Sequence, residues 1–129
     1  MEKQIFRSEQ ARAVMDFVQE YYGDELEFLW EKFSDNAIYR NRINQKWYAL
    51  LMMVGKDKLG LDSTERVEIL DLRFVKNEAL DFAANTTGIY PGYHMNKNNW
   101  ITIILDGTVP TGMILDLLKQ SYELSLLAK

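Results

Sequence analysis

The sequence predicts an α+β fold of two layers, in which helices cover one face of a mainly antiparallel sheet. Three segments have helical spacing and five have the character of strands, in the order α-β-β-β-α-β-β-α. The strands cluster and are joined by short turns, while the helices stand apart from them, and this arrangement is typical of α+β proteins. The 129 residues are enough for one domain, 1–129, with a core of its own.

The first helix is predicted to begin after Ser8, whose hydroxyl can cap it, and to end at Gly23. Its apolar residues recur at helical spacing: Ala11, Val14, Met15, Val18 and Tyr22. Residues 24–35 contain bulky side chains without a clean period. We therefore expect an irregular packed segment there.

Two strands, 37–42 and 46–54, flank a connection of hairpin length at 43–45. The second is apolar on both faces, which predicts a central position in the sheet. After a polar loop at 56–64, a third strand is predicted at 66–75, with apolar and charged residues alternating: Leu70, Leu72 and Phe74 against Asp71 and Arg73.

Asn77 is predicted to cap a second helix that extends to about Asn85. Residues 89–95 should be extended because Pro91 disfavours helix before it, and 96–99 should turn. The last strand is predicted at 100–105. Pro110 suits the first turn of the final helix, whose inward residues have helical spacing: Ile114, Leu117, Leu118, Ser121 and either Leu124 or Ser125.

The composition excludes several classes of protein. With no cysteine, the chain has no disulfide, zinc–thiolate site or cysteine nucleophile. Its longest apolar run, 47–54, is far shorter than the roughly 20 residues that cross a bilayer. The first residues lack the apolar stretch of a signal peptide. We expect a soluble, cytoplasmic protein with no membrane partner.

The charge balance argues against nucleic-acid binding. Fifteen Lys and Arg against nineteen Asp and Glu give a net charge of −4. Nucleic-acid-binding domains are usually basic, because neutralising phosphates supplies most of their affinity. A local basic patch remains compatible with this balance.

Catalytic and metal-binding patterns are absent from the sequence. His94, the only histidine, can in principle act as a base or a ligand, but a metal site needs three or four convergent ligands. We expect a structural role for it, such as a bond from its ring to a loop carbonyl, with contact to a ligand or phosphate as the alternative. No nucleophile elbow, phosphate loop or dinucleotide fingerprint occurs. The expectation is a protein that is not an enzyme and uses no cofactor or metal.

The first hairpin is the candidate nucleic-acid site. Arg40, Arg42 and Lys46 surround its polar tip, and a spacing of two in a strand places both arginines on one face. His94 and Lys97 would extend this cationic patch if their loop lay beside the hairpin. One interpretation is a wing that contacts phosphates. The alternative, which the excess of acid favours, is a solvated hairpin whose arginines pair with carboxylates.

A second candidate is the sheet face that the helices leave open. Strand alternation places Arg73 and Trp100 on this face, together with Trp47 or Tyr48. Such a surface can stack bases or bind a protein partner. The alternative is that the tryptophans pack beneath loops.

Several blocks together resemble one known family. They occur in the family's order and span about residues 8–125: Trp30 to Ala37, Lys46 to Leu50, Pro91 to Lys97, Trp100, Leu105-Asp106-Gly107 and Ser121 to Leu124. On these blocks the chain resembles the MmcQ/YjbR family. The resemblance implies an α+β fold like that of the secretion chaperones, and DNA binding through a double wing on fold analogy alone. It brings no catalytic residues.

Three functions follow from these observations. The first is a small non-catalytic binding or interaction module. The second is a DNA-binding protein that uses the hairpin of Arg40, Arg42 and Lys46. The third is a protein-interaction module that uses its sheet face or a free edge, in the form of a homodimer like the secretion chaperones.

Overall fold

The computed structural model describes residues 5–128, in which one antiparallel sheet carries three helices on one face. The strand order is β1-β2-β3-β5-β4. The strands are β1 (Asn36–Arg40), β2 (Trp47–Gly55), β3 (Arg66–Arg73), β4 (Ile89–Pro91) and β5 (Trp100–Ile104). The helices are α1 (Glu9–Tyr21), α2 (Ala79–Ala84) and α3 (Thr111–Leu127), and a 3₁₀ turn spans Lys56–Leu59. The predicted fold class and element order are confirmed.

The main core lies between the sheet and the helices. Leu51, Leu70 and Ile103 are register partners across β2, β3 and β5, and all three are fully buried on this face. Val14 of α1 and Leu118 of α3 pack into the same core. The alternation of the strands and the helical spacing therefore predicted the same buried layer from both sides.

The ends of α1 follow the prediction. The Ser8 hydroxyl accepts a hydrogen bond from the backbone N–H of Ala11 at 3.1 Å and donates one to Glu68 Oε1 at 2.8 Å. The cap therefore also ties the start of α1 to β3. At the other end Gly23 has a φ of 67°, the left-handed conformation that glycine adopts without strain.

The first hairpin departs from the prediction, because β1 ends at Arg40 instead of continuing to Arg42. The register shifts between Tyr39 and Arg40, and the buried Asn41 side chain then folds the chain into a turn. Its Oδ1 accepts the backbone N–H groups of Ile43 and Asn44, each at 2.9 Å. The expectation that both arginines lie on one strand face is therefore wrong.

Two other predicted boundaries are also wrong. Asn77 does not cap α2: it adopts a left-handed φ of 69°, and Glu78 occupies the cap position. The extended segment expected at 89–95 stops at Pro91, because the chain turns through His94 at a φ of 62°. The backbone N–H of Tyr93 donates to Thr102 Oγ1 at 2.8 Å, which holds this turn against β5.

The face of the sheet away from the helices is covered, not open. A second cluster of buried side chains lies there, formed by Ile38, Leu50, Met52, Val54, Ile69 and Trp100. Irregular segments cover it, with Trp30 packing from one side and Tyr93 and Met95 from the loop between β4 and β5. Trp100 is consequently only 3% exposed, so it packs beneath loops, as in the alternative given above, and does not lie on an open surface.

Within residues 5–128, no helix combines the length and the apolar character needed to cross a bilayer.

Candidate functional site

The two arginines of the predicted basic hairpin are both engaged by carboxylates. Arg40 Nε lies 2.9 Å from Glu27 Oε2, and Arg42 Nε lies 3.0 Å from Asp24 Oδ1. Arg42 also donates to the carbonyl of Tyr22. Lys46 makes no ion pair with any residue between 5 and 128. The hairpin therefore has the ion-paired arrangement that we gave as the alternative to a phosphate-binding wing.

His94 and Lys97 lie in the loop between β4 and β5, away from the hairpin. The strands β1 and β5 are separated by three strand spacings, which is a distance of roughly 14 Å. The exposed His94 ring packs against Tyr93, with ring centroids 4.0 Å apart, and forms no hydrogen bond within the described chain. Its expected bond to a loop carbonyl is therefore not formed. Lys97 Nζ instead makes such a bond, donating to the carbonyl of Gly92 at 2.9 Å.

Arg73 and Trp100 lie on the same sheet face, as strand alternation predicted, and are register partners on β3 and β5. Arg73 is half-buried and Trp100 is buried. The Arg73 guanidinium lies 4.8 Å from the centre of the Trp100 ring, and its Nε donates to the carbonyl of Trp47 at 2.5 Å. Burial lowers the pKa of Arg73 from its ordinary value. This pair holds the ends of β2, β3 and β5 together and offers no open platform for stacking.

A cleft of about 850 Å³ lies between α1, β1 and the segment 24–28. One helix face forms its first wall, because positions 12, 15, 16 and 19 follow helical spacing. The opposite wall comes from residues 24–28, and Tyr39 of β1 contributes to the lining. The full lining is Ile5, Phe6, Arg12, Met15, Asp16, Gln19, Asp24, Glu25, Leu26, Phe28 and Tyr39. No sequence-predicted site residue is among them.

Asp24 fixes the geometry of the cleft. It is 7% exposed, and each of its oxygens accepts a hydrogen bond: Oδ2 from the Tyr48 hydroxyl at 2.6 Å and Oδ1 from Arg42. Burial raises the pKa of Tyr48, and the bond to Asp24 raises it further, because both favour the protonated phenol. The carboxylate thus ties the segment 24–28 to β2 and to the hairpin turn.

Tyr39 supplies the cleft with a hydroxyl that no residue in the described range 5–128 engages. The residue is 3% exposed and its ring stacks on Tyr48, with centroids 6.0 Å apart. Its hydroxyl has no hydrogen-bond partner anywhere in residues 5–128. Burial raises the pKa of Tyr39, and the charges of Asp24 and Asp16 raise it further. The cleft therefore contains a protonated phenol that can form a hydrogen bond with a ligand.

Comparison with known proteins identifies the family. The model of the YjbR family matches residues 19–124. The chain belongs to the YjbR family. The matched span includes Asp24, Tyr39 and Tyr48, whereas Arg12 and Asp16 of the helical wall precede it.

A curated protein and two solved structures are similar to this YjbR chain. The uncharacterized protein YyaQ of Bacillus subtilis (strain 168) is 41% identical over 112 residues, which cover 87% of this chain and 94% of YyaQ. A crystal structure from Pseudomonas syringae superposes with a TM-score of 0.83 at 38% identity, covering 88% of this chain and 97% of the other. Protein DR2400 of Deinococcus radiodurans gives a TM-score of 0.61 at 25% identity, covering 85% and 76%.

Asp71 is a second buried carboxyl that the sequence analysis did not single out. Its Oδ1 accepts a hydrogen bond from Thr102 Oγ1 at 2.5 Å, while its Oδ2 has no partner in the described structure. Complete burial raises the pKa of Asp71 well above its ordinary value, although Thr102 and Lys97 act in the opposite direction. Because Thr102 also receives the N–H of Tyr93, these groups anchor the loop that covers the second face.

No cluster of three or more His, Cys, Asp and Glu side chains that could hold a metal ion occurs in the part of the chain that the structure describes.

Proposed function

We propose that this YjbR protein is a non-catalytic binding module whose ligand occupies the cleft between α1, β1 and residues 24–28. The observation that carries the proposal is the Tyr39 side chain: the residue is 3% exposed and lines the cleft, and its hydroxyl has no hydrogen-bond partner within residues 5–128. The fully buried polar side-chain atoms without a partner in residues 5–128 are Asp71 Oδ2 and Asn99 Oδ1, so the Tyr39 oxygen is accessible from the cleft. A ligand in the cleft can therefore form a hydrogen bond with it.

The size and composition of the cleft support a small-molecule ligand. About 850 Å³ falls within the range of roughly 300–1,000 Å³ that such sites occupy. Apolar side chains, among them Met15, Leu26 and Phe28, form part of its lining, and polar and charged groups supply the larger part of its surface. The apolar part can contribute affinity, and the polar groups can orient a ligand.

The state of the polar groups favours binding over catalysis. A general base must be unprotonated near the working pH so that it can accept a proton, whereas the raised pKa of Tyr39 favours its protonated form. Asp24 already accepts bonds from Arg42 and Tyr48 on both oxygens. These groups are suited to recognising a ligand and to holding the walls in place.

A fragment screen by ¹H–¹⁵N correlation NMR tests the proposal. We expect at least one fragment to cause saturable shifts at amides of the cleft residues. Tyr39→Phe should lower the affinity for that fragment by about two- to tenfold, which corresponds to the loss of one neutral hydrogen bond. Tyr21→Phe, at an exposed tyrosine of α1 outside the cleft, is the control and should leave the affinity unchanged. A screen without a saturable shift at the cleft contradicts the proposal.

A further inference from the structure

The charges around the cleft are unbalanced in favour of acid. Asp16, Asp24 and Glu25 face one basic residue, Arg12. Arg42 neutralises Asp24 through the ion pair at 3.0 Å. Asp16 and Glu25 are exposed and form no ion pair with Arg12 or with any other residue in the described range 5–128. Two carboxylates therefore remain available to a ligand, against one guanidinium.

The unpartnered hydroxyl lies within this negative field. Burial is the main cause of the raised pKa of Tyr39, and the charges of Asp24 and Asp16 raise it further. The same field disfavours an anionic ligand at this point and favours a cation. A phenol oxygen also accepts a hydrogen bond from an N–H donor. The net charge of −4 over the whole chain acts in the same direction by attracting cations to the surface.

Apolar side chains lie beside the carboxylates. Phe6 and Phe28 stack with ring centroids 6.4 Å apart, and both line the cleft together with Leu26 and Met15. Phe28 is 46% exposed although it belongs to this apolar wall. A ligand that covers the wall gains hydrophobic stabilisation that a small inorganic cation cannot obtain.

Resting on the proposed function, we infer that the ligand of the cleft is an organic cation: an ammonium or guanidinium group on an apolar stem. The charged group binds Asp16 and Glu25 and donates a hydrogen bond to the Tyr39 hydroxyl. The stem packs against Phe28 and Leu26. This chemistry is supplied either by a free amine or by a lysine or arginine side chain of a peptide.

A series of matched probes separates charge from shape. 2-Phenylethylamine, 2-phenylethanol and 3-phenylpropanoate share an aromatic stem and differ in carrying a positive, a neutral or a negative group. By NMR titration we expect the amine to bind at the cleft about tenfold more tightly than the alcohol, because hydrogen bonds to charged groups are the stronger ones. Equal affinity of amine and alcohol, or tighter binding of the carboxylate, overturns the inference.

Substitutions of single carboxylates test which side chains bind the amine. Asp16→Asn and Glu25→Gln should each weaken the amine by about three- to tenfold and leave the alcohol unchanged, since neither side chain supports the fold through an ion pair. Asp62→Asn removes an exposed carboxylate of the loop 60–65, outside the cleft, and should change neither. If Asp62→Asn weakens the amine as much as Asp16→Asn does, the attraction is a non-specific effect of net charge and the inference is wrong.

Two further comparisons separate a free amine from a peptide side chain, and the cation preference from ligand binding as such. An N-acetylated, amidated lysine, compared with 2-phenylethylamine, shows whether a peptide side chain or a free amine fits better. If fragments bind at the cleft without preference for cations, this inference fails while the binding function stands. If neither probes nor fragments bind there, both fail.

Discussion

Asp71 provides the sharpest test of the packing on the second face. Its carboxyl is fully buried on β3, with one oxygen bonded to Thr102 and the other without a partner. Asp71→Asn keeps the shape and the acceptor for Thr102 while removing the ionisable proton. The substitution therefore isolates the effect of burying a carboxyl group.

The sign of the effect follows from proton linkage. Burial raises the pKa of Asp71 in the folded state, while in the unfolded chain it stays near 3.9. Above about pH 4 the folded protein therefore holds a proton that the unfolded chain releases, and stability falls as the pH rises towards the folded pKa. Each pH unit in this window costs the wild type up to about 1.4 kcal/mol, and the Asn variant avoids this cost.

Urea unfolding from about pH 4 to pH 8 measures the effect. The free energy of unfolding of Asp71→Asn minus that of the wild type should increase steadily from about pH 4 upwards. Asp62→Asn, at an exposed loop position, controls for the loss of one negative charge. Parallel curves for Asp71→Asn and wild type would refute the reasoning, because the carboxyl would then be equally easy to ionise in both states.

The remaining predictions concern the cleft, the loop and the hairpin. Tyr48→Phe should lower the free energy of unfolding by about 1.5–3 kcal/mol, because it leaves a buried Asp24 oxygen without its donor, whereas Tyr39→Phe should stay within about 0.5 kcal/mol. Equal losses in urea unfolding would contradict the assignment of their hydroxyls. Gly92→Ala should cost about 1–3 kcal/mol in the same assay, because its Cβ would lie 2.8 Å from Trp100 Cβ and 2.9 Å from the Trp100 carbonyl oxygen. A urea midpoint equal to that of the wild type would show that the loop can shift to accommodate the added methyl group. Labelled oligonucleotides should show no anisotropy change at about 50 mM salt, because carboxylates engage Arg40 and Arg42; binding that weakens steeply at about 200 mM would instead support the hairpin as a phosphate-binding wing.

The layer between helices and sheet could be predicted because regular periods determine it. Leu70 and Leu72 alternate with Asp71 and Arg73, and the apolar residues of α1 and α3 recur at helical spacing. Local signals set the ends of α1, where Ser8 caps and Gly23 terminates. These features depend on residues close together in the chain, so the sequence displays them directly.

The second face could not be predicted in the same way, because irregular segments cover it. Trp30 comes from a stretch without a period, and Met95 comes from a loop that turns at His94. Alternation correctly placed Arg73 and Trp100 on the face away from the helices. It could not show that this face is also packed, so it could not decide between an open surface and tryptophans that pack beneath loops.

The geometry of the cleft depends on which groups bond to the carboxylate of Asp24. No local sequence pattern shows this. Tyr39 and Tyr48 stack on each other, and both are almost completely buried, yet only Tyr48 bonds to Asp24. The other oxygen of Asp24 accepts from Arg42, so Tyr39 finds no acceptor there. The same ion pair therefore has two consequences: it engages a cation that the sequence suggested for phosphate binding, and it leaves a phenol in the cleft for a ligand. The sequence offered one signal of this site, the shared helix face of Arg12, Asp16 and their neighbours, but its opposite wall is brought there only by the fold.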